Sequence, residues 1–185
     1  MLGLLLVASA GSAFAAESVS YYQTIYDSQY EANKSTLDSL ASSGNGETYY
    51  TFQYAFGGTL SMYEATKDVK YLERALAWAN TMMLKATIAD INGNLNWSGP
   101  WLSPYSSTTI SYQLDDLQGS TELARLARII LTDPVLTNTY GAQALTVRDF
   151  VKKQIVDKWL YVRGSESWFI YNSTTAGLWY NDKCA

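Results

Sequence analysis

Two stretches of this chain, their aspartates 65 residues apart, limit what it can fold into more than any other feature. The first is "MYEATKDVKYLERALAWAN", residues 62–80, and the second is "ILTDPVLTNTYGAQALTVRDF", residues 130–150. Each reads as the end of one helix, a short turn holding an aspartate, and the start of another helix. Asp68 suits an N-cap, because its carboxylate accepts an orphan backbone N–H of the first turn; Asp133 stands at the corresponding place. The segment before the first turn, residues 48–68, carries aromatics on every side of a helical wheel, which predicts burial all round. The segment after it puts Leu72, Ala75, Leu76, Ala79 and Met83 on one face, with Lys70, Glu73 and Arg74 off that face. In the second copy Leu123, Ala124, Ala127 and Leu131 keep helical register. Tyr140, Ala144, Val147, Val151 and Ile155 then line one face of the next helix, with Arg148, Lys152 and Lys153 off it. The pattern is an internally repeated αα-hairpin, a buried helix followed by an amphipathic one, and the fold class is all-α.

Around this repeat the chain divides into three parts. Residues 1–15 read as a secretory signal peptide, with a short apolar core and the small-residue cleavage signal Ala13-Phe14-Ala15. Residues 16–47 form an N-terminal extension, where the spacing of Tyr22, Ile25, Tyr26 and Tyr30 predicts a helix and "SSGNGE" a turn. Residues 48–185 hold the hairpins. Residues 89–113 make a long polar and aromatic connection broken by Gly, Pro, Asn and Ser, and connections of this length are often functional. A second such connection opens after Tyr161, and "TTAGLWYNDKCA" begins a third inner helix. The mature protein is expected to be secreted or periplasmic, with no membrane attachment after signal cleavage.

Composition removes several chemistries. The chain has no histidine, so imidazole acid–base catalysis and His metal sites are absent from it. Its one cysteine, Cys184, can form no internal disulfide. A net charge of -4 with no basic run argues against nucleic acid as a partner. No phosphate-cradling Gly loop and no Ca²⁺-binding loop pattern occurs, so no metal and no cofactor are expected.

Alternating buried and amphipathic helices in hairpins of this length resemble the (α/α) toroid, the fold of polysaccharide lyases, several glycoside hydrolases and uronyl epimerases. With "ATKDVKYLERALAWANTM", "NWSGPW", "ARLARIILTDP" and "GLWYNDKCA", the chain is most similar to secreted alginate- or glucuronan-type polysaccharide lyases, over residues 48–185. A closed toroid needs more hairpins than the two and the start of a third seen here. The resemblance therefore implies an incomplete toroid whose missing remainder is a partner of this part. It implies a polysaccharide substrate, and a cleft lined by residues 89–113 and 161–182.

The residues of those connections suit sugar. Trp97, Trp101, Trp168 and Tyr171 offer flat faces for the apolar C–H side of a sugar ring, and Asn181 offers a hydrogen-bonding partner, as do Asp115 and Asp116 just past the first connection. Elimination from a uronate needs a group to neutralise the carboxylate, a base for the C5 proton and an acid for the leaving oxygen. Without histidine a tyrosine must carry the proton, so Tyr105 and Tyr112 are the candidates, with Asn94, Gln113 and Arg163 for the carboxylate. The pair Asp115-Asp116 supports a competing reading, glycoside hydrolysis by two carboxylates. Adjacent helical residues point about 100° apart, so the two cannot both face one bond, and either could simply cap the helix that comes next. Most basic residues fall on the outer helices, which weighs against a polyanionic substrate. A third reading is a non-catalytic, carbohydrate-binding piece of a longer enzyme.

Overall fold

The computed structural model describes residues 17–102 and 106–159. The signal peptide, the second connection and the third inner helix read from the sequence lie outside those residues. The described chain is mostly helical: α1 (Val19–Ala41), α2 (Gly46–Thr66), α3 (Val69–Leu84), α4 (Gln113–Leu131), α5 (Pro134–Phe150) and a terminal π-helical segment (Val151–Asp157). Between α3 and α4 lie four short strands, β1 (Ile88–Ala89), β2 (Leu95–Asn96), β3 (Ser98–Leu102) and β4 (Thr109–Ile110). The all-α class is what the repeated pattern predicts.

Contacts divide the chain into two compact units, residues 1–32 and 33–185. In the first, the N-terminal part of α1 leaves Tyr22 and Ile25 exposed. In the second, α2 with α3 and α4 with α5 form the two hairpins. Capping sets each boundary. Asn45 accepts Thr48 N–H at 3.0 Å to start α2, and α2 stops where Lys67 turns left-handed at φ 59°. Asp68 accepts Lys70 N–H at 3.1 Å to start α3. Asp133 accepts Val135 N–H at 2.8 Å and Leu136 N–H at 3.3 Å to start α5. Pro134 comes next, at a position where its missing N–H leaves no gap.

The two inner helices, α2 and α4, run side by side in the same direction, and their contacts advance together along both. A Cβ on Gly46 would overlap Ser111, just before α4. Further along, Gly119 sits against Tyr49, and Gln53 donates to Gln118 at 2.9 Å across a sequence separation of 65. Arg125 then reaches Ser61 at 3.1 Å and Glu64 at 2.5 Å. The outer helices meet where Tyr140 O–H donates to Glu73 at 2.9 Å. The core between the layers holds Tyr49, Phe52, Phe56 and Leu60 of α2. Opposite them are Tyr71, Leu72, Trp78 and Met82 of α3 and Leu123, Leu126 and Ile130 of α4, all buried. Each such side chain removed from water contributes roughly 1.5–3 kcal/mol before entropy is set against it.

Two expectations need correction. Helix α2 is not buried all round: Thr51, Ser61 and Ala65 are exposed, and Tyr54 is 72% exposed. These positions keep to one stripe of the helix, so α2 has a solvent face despite its aromatic content. The connection over residues 89–113 is not plain loop. Ile88 and Ala89 pair antiparallel with Asn96 and Leu95, and Trp101 and Leu102 pair with Ile110 and Thr109 past a bulge after Ser98. The strands are short and hold Gly99 and Pro100, so no alternating pattern marks them in the sequence.

Helix α5 passes without a break into the π-helical segment. The wider turn rotates the residues beyond it, so that Gln154, Ile155, Lys158 and Trp159 are buried. Gln154 there accepts Leu95 N–H at 2.6 Å, fastening the first β ladder to the end of the last described helix.

Candidate functional site

The chemistry of the described residues collects where α2 and α4 begin. Glu47 lies in the first turn of α2, and Asp115 and Asp116 in the first turn of α4. A helix N-terminus favours negative charge, which explains carboxylates at these positions without giving any of them a task. Their surroundings separate them.

Asp116 is fully buried and fully engaged. Its Oδ1 accepts a short hydrogen bond from the Ser111 hydroxyl, and its Oδ2 accepts Trp159 Nε1–H at 2.8 Å and a short bond from Lys158 Nζ. Lys158 also donates to Asn96 Oδ1 at 2.8 Å, and Asn96 Nδ2 donates to the carbonyls of Ile88 and Asn94 at 3.0 and 3.1 Å. Trp101 packs against Trp159 with ring centres 4.9 Å apart and planes tilted by 37°. A buried charge needs such a shell, since an unpaired one costs several kcal/mol. The arrangement ties β2, the start of α4 and the end of the π-helical segment into one knot.

Asp115 differs from its neighbour. It is 7% exposed, and burial, then the negative charges of Asp116 and Glu47, push its carboxyl up to about 6, while a backbone hydrogen bond at Tyr112 pulls the other way. The desolvation of the carboxylate outweighs the favourable helix end. The result is a carboxyl group that exchanges its proton near neutral pH, with Glu47 as the second carboxylate close enough to influence it. Along α2 from Glu47, the exposed stripe continues through Thr51 to the open ring of Tyr54.

The other residues singled out by sequence fall in several places. Trp97 is 1% exposed, donates Nε1–H to the Met82 carbonyl at 2.8 Å and meets Tyr49 edge-on at 4.7 Å. It is a core residue with no face left for a sugar. Trp101 is 5% exposed and packed against Trp159 as above, with its Nε1–H unpartnered among the described residues. Asn94 holds the turn between β1 and β2: its backbone N–H and its Nδ2 donate to the two carboxylate oxygens of Asp90 at 2.8 and 2.9 Å. That pairing commits Asn94 to holding the turn, with the residue only 8% exposed. Tyr112 occupies the N-cap position of α4 without a capping side-chain bond, and Gln113 opens the helix with its buried Nε2 unpartnered among the described residues. Tyr105, Arg163, Trp168, Tyr171 and Asn181 lie outside the described residues. Among the described residues, no group of three or more His, Cys, Asp or Glu side chains is placed to hold a metal ion.

Sequence reasoning passed over Lys158, Glu47 and Tyr54. Lys158 had a signal: Val151 and Ile155 on the buried face lead by helical spacing to residues 158 and 159. A lysine at a core position requires a buried anion to meet it. Glu47 and Tyr54 had a weaker one, since residues seven apart share a helix face. No known family, no characterised protein and no solved structure matches this chain.

Proposed function

We propose that this chain belongs to a secreted, polysaccharide-cleaving protein of the toroid kind, in which Asp115 delivers the proton to the leaving glycosidic oxygen. The observation behind this reading is placement: Asp115 lies buried in the first turn of α4, next to Asp116 and near enough to Glu47 in the first turn of α2 that burial and the two negative charges push its carboxyl up to about 6. A general acid is most effective when its pKa lies near working pH, and paired carboxyl groups of unlike environment are how glycosidic bonds are hydrolysed. Glu47 takes the second role in place of Asp116, which the buried knot consumes. The Tyr54 ring, seven residues along α2, supplies a stacking surface for a neighbouring sugar.

Elimination from a uronate is the second reading, favoured by one feature. The unpartnered Gln113 amide is a donor able to meet a carboxylate, and Tyr112 stands beside it in sequence. The Asn94–Asp90 pairing weakens this reading. The two separate by product. On alginate, glucuronan and a panel of neutral polysaccharides, hydrolysis releases reducing ends without ultraviolet absorbance, whereas elimination yields an absorbing unsaturated end. Asp115→Asn, shown to be folded by circular dichroism, should lower hydrolysis by about 10²–10⁴-fold. Unchanged turnover in that variant, or polysaccharide binding with no turnover by the wild type, removes Asp115 from the chemistry.

A further inference from the structure

We propose that Lys158 and Asn96 join through an intramolecular isopeptide bond, formed without any cofactor and promoted by Asp116. Three observations lead there. The first is placement: Lys158 Nζ donates to the side-chain carbonyl oxygen of Asn96 at 2.8 Å and to Asp116 Oδ2 in a short bond. An amine, a carboxamide and a carboxyl group thus meet at one nitrogen. The second is seclusion: Lys158, Asn96 and Asp116 are 2%, 1% and 0% exposed, so water does not compete as the nucleophile. The third is immobilisation. Trp159 Nε1–H and the Ser111 hydroxyl hold the two oxygens of Asp116, and the carbonyls of Ile88 and Asn94 hold the Asn96 amide nitrogen. Holding reacting groups in contact contributes through orientation and lost entropy what a slow amide exchange otherwise lacks.

The reaction balances within the cluster. Lys158 passes a proton to Asp116, and the freed lone pair on Nζ adds to Cγ of Asn96. Asp116, now protonated, supports the oxygen of the tetrahedral intermediate by hydrogen bonding. Nζ then loses a second proton to the departing amide nitrogen, relayed by Asp116. The Cγ–Nδ2 bond breaks, one ammonia leaves, and a secondary amide links the two side chains. No oxidant or reductant is involved. The bond would staple β2 to the end of the π-helical segment across 62 positions of chain, in a protein whose lone cysteine leaves it no internal disulfide. A crosslink closing a loop of that length raises stability mainly by restricting the unfolded chain.

Peptide mapping of the full-length protein by mass spectrometry tests this. The expected product is a branched peptide joining tryptic fragment 86–125, which holds Asn96, to fragment 154–163, uncut after Lys158 and lighter than their sum by one ammonia. Because Asn45-Gly46 and Asn92-Gly93 can lose ammonia by cyclising, the branched fragment decides and the intact mass does not. Asn96→Ala should abolish the branch, and Asn96→Asp should form it with loss of water. Asp116→Asn should leave the two fragments separate, and if that variant fails to fold, wild-type protein mapped directly after synthesis and after prolonged incubation answers the same question. Two separate fragments in folded, incubated wild-type protein, or a branch through Asp116 with loss of water, overturn the proposal.

Discussion

The two hairpins share one frame and differ at one end. In both, an inner helix turns at an aspartate into an outer helix, and Gln53 and Gln118 meet at the repeat distance of 65 residues. The first hairpin opens on a short turn closed by the Asn45 cap and bridged to Ser98 at the start of β3. The second opens on two β ladders, a pair of acids and the knot around Lys158, and its outer helix leaves the α-helical course for a π-helical one. Repeats persist where packing alone decides the residue. They break where something besides packing decides it, and in the second hairpin the departures coincide with the acids of α4 and the buried Lys158 cluster.

The knot offers the largest break in this comparison. Lys158→Ala leaves Asp116 buried with only its hydroxyl and indole donors, and removes the crosslink through Lys158 where that has formed; loss of a buried cation costs about 3–5 kcal/mol, and loss of a crosslink a similar about 2–5 kcal/mol. Chemical denaturation should show that loss in the second hairpin's variant. A truncation at the matching end of the first hairpin, Asn45→Ala, should cost only about 1 kcal/mol, the worth of a cap. Equal losses would mean that the two ends do the same work.

Asp115 sharpens the comparison at intermediate size. Its carboxyl is raised from 3.8 to about 6, so the folded state holds this proton more tightly than the unfolded state. Stability contributed by the group is therefore present below pH 3.8 and is lost as pH rises through about 6. Asp115→Asn should match the wild type near pH 3.5 and exceed it above pH 6.5 by roughly 1–2 kcal/mol, allowing for partial screening by solvent. Urea midpoints measured across that range check the sign; a gain on the acid side alone contradicts it.

Legibility in the sequence divides along the same line. Both hairpins, both aspartate turns and the amphipathic faces were legible because each rests on local spacing or on one capping side chain. The β ladders were not, because pairs such as Ile88 with Asn96 rest on contacts that no run of residues announces. Of the site, the acids at the start of α4 were visible, but which of them is available was not. Asp115 and Asp116 are the same residue type at adjacent positions. Ser111, and Lys158 and Trp159 more than forty residues on, engage Asp116, while Glu47 on another helix acts on Asp115. Trp97 shows the limit from the other side: its Gly- and Pro-rich setting suggests a loop platform, and the Met82 carbonyl that receives its N–H makes it core.

The turns themselves give the smallest and cleanest contrast. Asp68 caps α3 with one backbone bond, to Lys70 at 3.1 Å, and lies in a salt bridge with the Lys70 ammonium at 3.4 Å. Asp133 caps α5 with two bonds, and Pro134 behind it already holds the first helical residue in helical geometry. If the cap's worth lies in backbone N–H groups satisfied, Asp133→Ala should cost more than Asp68→Ala, near the upper and lower ends of the range of about 0.5–2 kcal/mol. If it lies in ordering the turn, the preset proline makes Asp133 the more dispensable, and the order reverses. The exposed ion pair adds little to either account. Thermal midpoints of the two alanine variants, measured in high salt to remove the Asp68–Lys70 attraction, decide between satisfaction of the orphan donors and ordering of the turn as what the repeated aspartate is for.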